Sequence, residues 1–134
     1  FESQGLISID YSYKNYGNIK LNNGNFTDEN QSFKNDLKGT GELRLGTEWR
    51  FDNISVRGGY HIEKSPYKDA ISSDDNKGYS LGAGYKFRGG KIDLSYMNSS
   101  NTAPYNFYPQ YNQVDSAELD YNYDNFAITL VLNI

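Results

Sequence analysis

The sequence predicts an all-β chain: an antiparallel sheet of about six strands, forming a segment of a transmembrane β-barrel. Three observations carry this expectation. Apolar and polar residues alternate with period two through six stretches. The connections alternate between two-residue turns and long polar loops. No apolar run reaches the ~18 residues of a transmembrane helix, so any crossing must be made by strands.

The first strand is expected over 5–21, where Ile7, Ile9, Tyr11 and Tyr13 share one face and Ser8, Asp10, Ser12 and Lys14 the other. In 42–51, Leu43, Leu45, Thr47, Trp49 and Phe51 oppose Glu42, Arg44, Gly46, Glu48 and Arg50. In 54–63, Ile54, Val56, Gly58, Tyr60 and Ile62 alternate with Ser55, Arg57, Gly59 and His61. In 78–87, Tyr79, Leu81, Ala83, Tyr85 and Phe87 alternate with Ser80, Gly82, Gly84 and Lys86. The stretch 91–98 sets Ile92, Leu94 and Tyr96 against Lys91, Asp93 and Ser95. The last strand, 121–134, carries Phe126, Ile128, Leu130, Leu132 and Ile134 on one face. A short helix is expected only within 30–38.

Asp52-Asn53 reads as a two-residue hairpin turn. Pairing Phe51 with Ile54 sets Trp49 against Val56, Leu45 against Tyr60, Arg44 against His61, and Glu48 against Arg57 as an opposite-charge pair. Gly89-Gly90 reads as a second turn. Pairing Arg88 with Lys91 sets Phe87 against Ile92, Tyr85 against Leu94 and Lys86 against Asp93. The remaining connections, about 22–41, 63–77 and 98–120, are long and rich in Asn, Asp, Ser and Gly. Short turns therefore gather at one end of the sheet and long loops at the other, as in outer-membrane barrels.

Composition narrows the function classes. The 134-residue chain has a net charge of −4 and no basic run, which argues against nucleic acid as a partner. It has no Cys and one His, which removes thiolate chemistry and makes a His-based metal site improbable. No catalytic triad, paired-carboxylate site or phosphate-cradling loop stands out, so neither an enzyme nor a cofactor is expected. The acidic Asp74-Asp75-Asn76-Lys77-Gly78 run lacks the spacing to a bidentate Glu that a calcium loop needs. The chain opens at Phe1 with no Met and no signal-like segment, and is expected to be a mature product or part of a longer one.

Alternation alone fits a soluble β protein as well as a membrane barrel. Lipid is favoured by the opposed charges and glycines of the polar face, by aromatics near strand ends, and by the turn–loop asymmetry. Six strands cannot close a bacterial membrane barrel, which begins at eight, and open edges are not tolerated in lipid. The alternatives are a barrel segment held as substrate by the barrel-assembly machinery, and a soluble β binding protein or surface adhesin.

The chain resembles the C-terminal part of the FadL/TodX (OMPP1) family of outer-membrane transport proteins, in the form found in Bacteroidota. The resemblance lies in GLISIDYSYKNYGNIKL at 5–21, LRLGTEWRFDNISVRGGYHIEKSPYKD at 43–69, GYSLGAGYKFRGGKIDLSYM at 78–97 and NFAITLVLNI at 125–134. It implies the last six strands of a fourteen-stranded barrel, with the remaining strands and a plug supplied by residues absent here. It further implies an outer-membrane location, lipid or detergent around the barrel, and uptake of hydrophobic compounds such as long-chain fatty acids. The alternating Phe126, Ile128, Leu130, Leu132 and Ile134 resemble the C-terminal signal read by the assembly machinery, although such strands more often end in an aromatic than in Ile.

Two groups of residues are candidates for ligand contact. On the polar face, Arg44, Arg57, His61 and Lys86 could meet a ligand carboxylate. The competing reading is a charge ladder in which Glu48 satisfies Arg57 and Asp93 satisfies Lys86. In the loop 101–111, Tyr105, Phe107, Tyr108 and Tyr111 could meet a hydrophobic compound at the outer mouth, or pack on neighbouring loops.

Overall fold

The computed structural model describes residues 3–105, 107 and 116–133. The chain is all-β, with one six-stranded antiparallel sheet and one short α-helix. The strands are β1 (Ser3–Asn15), β2 (Gly39–Phe51), β3 (Ile54–Glu63), β4 (Asn76–Phe87), β5 (Gly90–Tyr105) and β6 (Ala117–Leu132), and they pair in chain order. The first strand stops short of the expected 5–21 because the chain turns through a 3₁₀ segment at Tyr16–Asn18. The helix α1 covers Thr27–Asp36, earlier than expected. Asn30 on this helix holds the preceding loop at two points: its Oδ1 accepts from the Leu21 N–H at 2.7 Å and its Nδ2 donates to the Leu21 carbonyl at 3.1 Å.

The β2–β3 register is the expected one, with Phe51 opposite Ile54 and Glu48 opposite Arg57. The turn is closed by Asp52 at φ 49°, a left-handed conformation that Asp and Asn adopt more readily than bulkier residues. The β4–β5 register differs from expectation. Phe87 pairs with Gly90, so Arg88-Gly89 is the turn, and Lys86 faces Lys91 rather than Asp93. Either register keeps every side chain on its own face; only the opposed pairs change.

No hydrophobic residue is buried among the described residues. The apolar face is open instead: Ile9 is 72% exposed, Ile128 61% and Leu81 58%. The polar face is the sheltered one, with Glu42, Ser55 and Thr40 buried. Side chains from all six strands, among them Asp10, Arg44, His61, Ser80, Ser99 and Tyr123, line a single trough of about 940 Å³ on that side. The sheet therefore curls around its polar face.

The apolar face is a band with two limits. Its upper limit runs from Tyr13 on β1 through Leu43, Ile62, Tyr79 and Tyr96 to Phe126 on β6. This line does not follow the pairing rows. Phe126 shares a row with Tyr96, Leu81, Gly58 and Thr47. Tyr13 lies in the row of Gly41, six residues from Thr47 along β2. Six residues are about 20 Å of strand, and five strand gaps about 24 Å, so the band crosses the strands as if they were inclined by about 40°.

Above the limit the two faces of the β5–β6 hairpin exchange character. Outward now stand Asn98, Ser100, Thr102, Glu118, Asp120, Asn122 and Asp124. They are laced across the strands: Asn98 Nδ2 donates to Asn122 Oδ1 at 2.7 Å, and Thr102 Oγ1 to Asp120 Oδ1 at 2.8 Å. Inward stand Met97, Ala103, Leu119, Tyr121 and Tyr123. Strand β5 thus extends past the expected end at 98, and Tyr105 belongs to a strand rather than to a loop.

Candidate functional site: the polar trough and its rim

A chain of alternating charges crosses the polar face and enters the trough at Glu48 and Arg57. Glu48 on β2 accepts from Arg50 at 2.7 Å and from Arg57 at 3.2 Å. Arg57 on β3 also reaches Asp93 on β5 at 3.0 Å, and Asp93 binds Lys91 at 2.7 Å. The Arg57–Asp93 contact spans an intervening strand, which is possible because β4 presents glycines there. Gly82 lies opposite Arg57 and Gly84 opposite Asp93. A Cβ on Gly84 would stand 2.5 Å from both Asp93 Oδ1 and Ser55 Oγ. The glycines of GAGYKF thus leave a groove along which the guanidinium lies.

The candidate ligand groups fall on this face, but two of the four already have carboxylate partners. Arg57 lies between Glu48 and Asp93. Arg44 donates to Glu42 at 2.6 Å, and Glu42 also accepts from Ser12 at 3.2 Å. His61 lies opposite Gly78, with its ring over that glycine, and lines the trough. Lys86 does not pair with Asp93, because the register places it opposite Lys91. It borders a cavity of about 420 Å³ at the turn end, with Arg50, Arg57 and Lys91. The sequence reading missed the Arg57–Asp93 pair because it matched Asp93 with Lys86. The glycine alternation in β4 was the available signal.

The rim at the loop end is bound together by backbone hydrogen bonds. The Lys38 N–H donates to Pro66 O at 2.9 Å, Lys64 N–H to Gly41 O at 3.1 Å, and Thr102 N–H to Ser73 O at 3.0 Å. Leu37 and Tyr67 form an isolated bridge between the same loops. At the centre of the rim the buried Asp75 carboxylate accepts from Lys64 Nζ at 2.7 Å and from the Ser65 N–H at 3.1 Å. Burial pushes this carboxyl upward. The Lys64 ammonium, the Ser65 N–H and the nearby charge of Lys77 outweigh that and hold it below its ordinary value of 3.8.

A group whose pKa is lowered on folding stabilises the fold above its unfolded pKa, and that stability is lost as pH falls through the folded value. The rim is therefore expected to hold unchanged from neutral pH to about 4 and to loosen below it. Asp75→Ala should expose the Ser65 amide at neutral pH, at a local cost of about 1–3 kcal/mol for the unsatisfied donor. Hydrogen exchange of residues 64–75 checks this. Exchange at Ser65 no faster than in the parent would refute the role given to Asp75.

Of the four aromatics expected at the outer mouth, Tyr105 and Phe107 meet edge to face with ring centroids 4.8 Å apart. Tyr108 and Tyr111 lie outside the described residues. Phe126, Ile128, Leu130 and Leu132 stand exposed on the outward face of β6, the last strand of the sheet, and Ile134 lies outside the described residues. No group of three or more His, Cys, Asp or Glu able to hold a metal occurs among the described residues. No family model, curated protein or solved structure matches the chain.

Proposed function

We propose that this chain is a section of an outer-membrane β-barrel that admits hydrophobic compounds, the C-terminal six strands of a FadL-like channel. The carrying observation is the inclined apolar band. An unburied apolar face costs stability in water, at roughly 25 cal/mol per Å² left exposed, and nothing in lipid. The strand inclination of about 40° that the band implies, taken from the normal to the band, matches the 35–45° strand tilt of membrane barrels. On β4 the band runs from Tyr79 to Phe87. That is about 27 Å along the strand and about 21 Å along a barrel axis, near the ~25 Å of membrane barrels. The polar trough supports an interior lined for water and for polar parts of a solute. The choice of hydrophobic compounds, with long-chain fatty acids as the type, rests on the family resemblance.

Strands β1 and β6 each have only one partner in the sheet. These free edges support a larger barrel that supplies the remaining strands. They equally suit a section held open by the barrel-assembly machinery, which is the second reading. The test is to express the full-length protein, fractionate the cells and compare its gel mobility with and without heating. Uptake of a fluorescent long-chain carboxylic acid is then measured in cells with and without the protein. Outer-membrane recovery, heat-modifiable migration and protein-dependent uptake are expected. Recovery in the soluble fraction without detergent would overturn the membrane reading, and a closed barrel without uptake would overturn the channel.

A further inference from the structure

The charge chain on the polar face leaves one cation over at the turn end. Glu48 meets Arg50 and Arg57, and Asp93 meets Arg57 and Lys91, so both carboxylates are taken. Lys86 has no carboxylate partner among the described residues, and it stands directly opposite Lys91. Like charges directly opposite across a strand pair are destabilising. The backbone does not let this pair slip apart, because the Lys86 N–H is held by Asn53 O at 2.8 Å in the β2–β3 turn.

The cavity of about 420 Å³ at this end collects the surplus. Four of its lining residues are cations, Arg50, Arg57, Lys86 and Lys91, and one, Asp52 of the turn, is acidic. Gly84 leaves its floor bare between Ser55 on one side and Asp93 on the other. Ser55 is only 9% exposed, and its Oγ leans over that glycine without a hydrogen bond to another described residue. A hydroxyl so sheltered ordinarily has a partner. Donors therefore converge here from four neighbouring strands: Arg50 of β2, Ser55 of β3, Lys86 of β4 and Lys91 of β5. An ammonium carries three N–H donors and a guanidinium five, more than the two carboxylates can take up. A tetrahedral oxyanion suits such a ring, since it presents acceptor oxygens in several directions and carries the charge that the ring lacks.

We infer that this pocket binds a tetrahedral oxyanion, phosphate or sulfate, free or carried as an ester, between Lys86 and Lys91, with Arg50 and the Ser55 hydroxyl as further donors. The site belongs to the polar face alone and does not depend on what meets the apolar face. It gives Lys86 a different anion from the ligand carboxylate expected from the sequence, and adds Arg50, Ser55 and Lys91.

The test is thermal unfolding of the full-length protein in nonionic detergent, with anions varied at constant ionic strength so that general screening is held fixed. Inorganic phosphate and sulfate should each raise the unfolding midpoint saturably, and acetate should not. Without these anions, Lys86→Gln should leave the midpoint unchanged or raise it, because it removes a like-charge pair. In their presence it should weaken the apparent affinity roughly tenfold or more, the scale of one lost charge-assisted hydrogen bond. Lys20→Gln, in an exposed loop, is the control and should respond as the parent does. Dihexanoyl phosphatidic acid, below its micelle concentration, separates the sources. A response to it alone, lost in Lys86→Gln, assigns the phosphate to a lipid headgroup; a response to inorganic phosphate as well assigns it to soluble compounds. An equal response to acetate overturns the site, as does a Lys86→Gln variant that responds like Lys20→Gln. A midpoint lowered by Lys86→Gln in the absence of anion also overturns it, since Lys86 would then already have a partner in the protein. No saturable response to phosphate, sulfate or the phosphatidic acid leaves no site to defend.

Discussion

Replacing Ile128 with Arg should destabilise the folded protein in a bilayer by about 2–4 kcal/mol, the cost of a cation near the midplane of a barrel's lipid face. Ile128 is in the middle of the outward face of β6, opposite Leu94 and between Phe126 and Leu130. Its neighbour Thr129 lies on the polar face, opposite Asp93. Thr129→Arg should shift stability by no more than about 0.5 kcal/mol, because the new charge meets water and a carboxylate. Urea unfolding of the full-length protein refolded into short-chain phosphatidylcholine vesicles measures both. The sign of the first value is the informative part. In a sheet whose exposed face met water, Arg would cost nothing or raise solubility. A neutral or stabilising Ile128→Arg would therefore refute lipid as the solvent of this face.

Arg57→Leu is the second large effect. The substitution strips Glu48 and Asp93 of their shared cation and leaves two carboxylates facing a partly sheltered floor. Breaking a fully buried pair costs about 3–5 kcal/mol, and Arg57 is about one-third exposed, so about 1–2 kcal/mol is expected. Gly84→Val should act on the same contact without removing a charge, because its Cβ would occupy the space of the Asp93 carboxylate. The double variant is then less destabilised than the sum of the two singles, since each removes one interaction. Additive effects would mean that the contact across β4 carries no stability. If Arg57→Leu instead leaves the unfolding midpoint in place and abolishes uptake of a carboxylic acid, Arg57 is a ligand group rather than part of the floor.

The sequence made the face of each strand readable because period-two alternation depends on residue type alone. The β2–β3 register was also readable. Asp52-Asn53 leaves one natural two-residue turn, and Glu48–Arg57 fits no neighbouring register of the same parity. The β4–β5 register was read two residues out. Arg88-Gly89-Gly90 permits two turns, and both keep apolar residues on the apolar face, so hydrophobic pattern could not choose between them. The charge floor was misassigned for that reason. The upper reach of β5 is not legible as strand because Asn98-Ser99-Ser100-Asn101-Thr102 has no apolar alternation. Its pairing with β6 includes side-chain amide and hydroxyl bonds, which no hydropathy pattern records. The trough and its rim depend on curl and on loop-to-loop bonds, which are properties of the assembled sheet.

Each strand pairs only with its neighbour in the chain. Within the described sheet no pairing joins strands distant in the chain. Loop-closure entropy is therefore met in small instalments, one hairpin at a time. The sheet behaves as a zipper whose teeth are strands. Removing the last strand would leave β5 as a new edge with its other pairing intact, and adding one at β1 would extend the same pattern. In the barrel proposed above, strands could thus be added to a short seed without undoing any contact already made, until the two free edges meet.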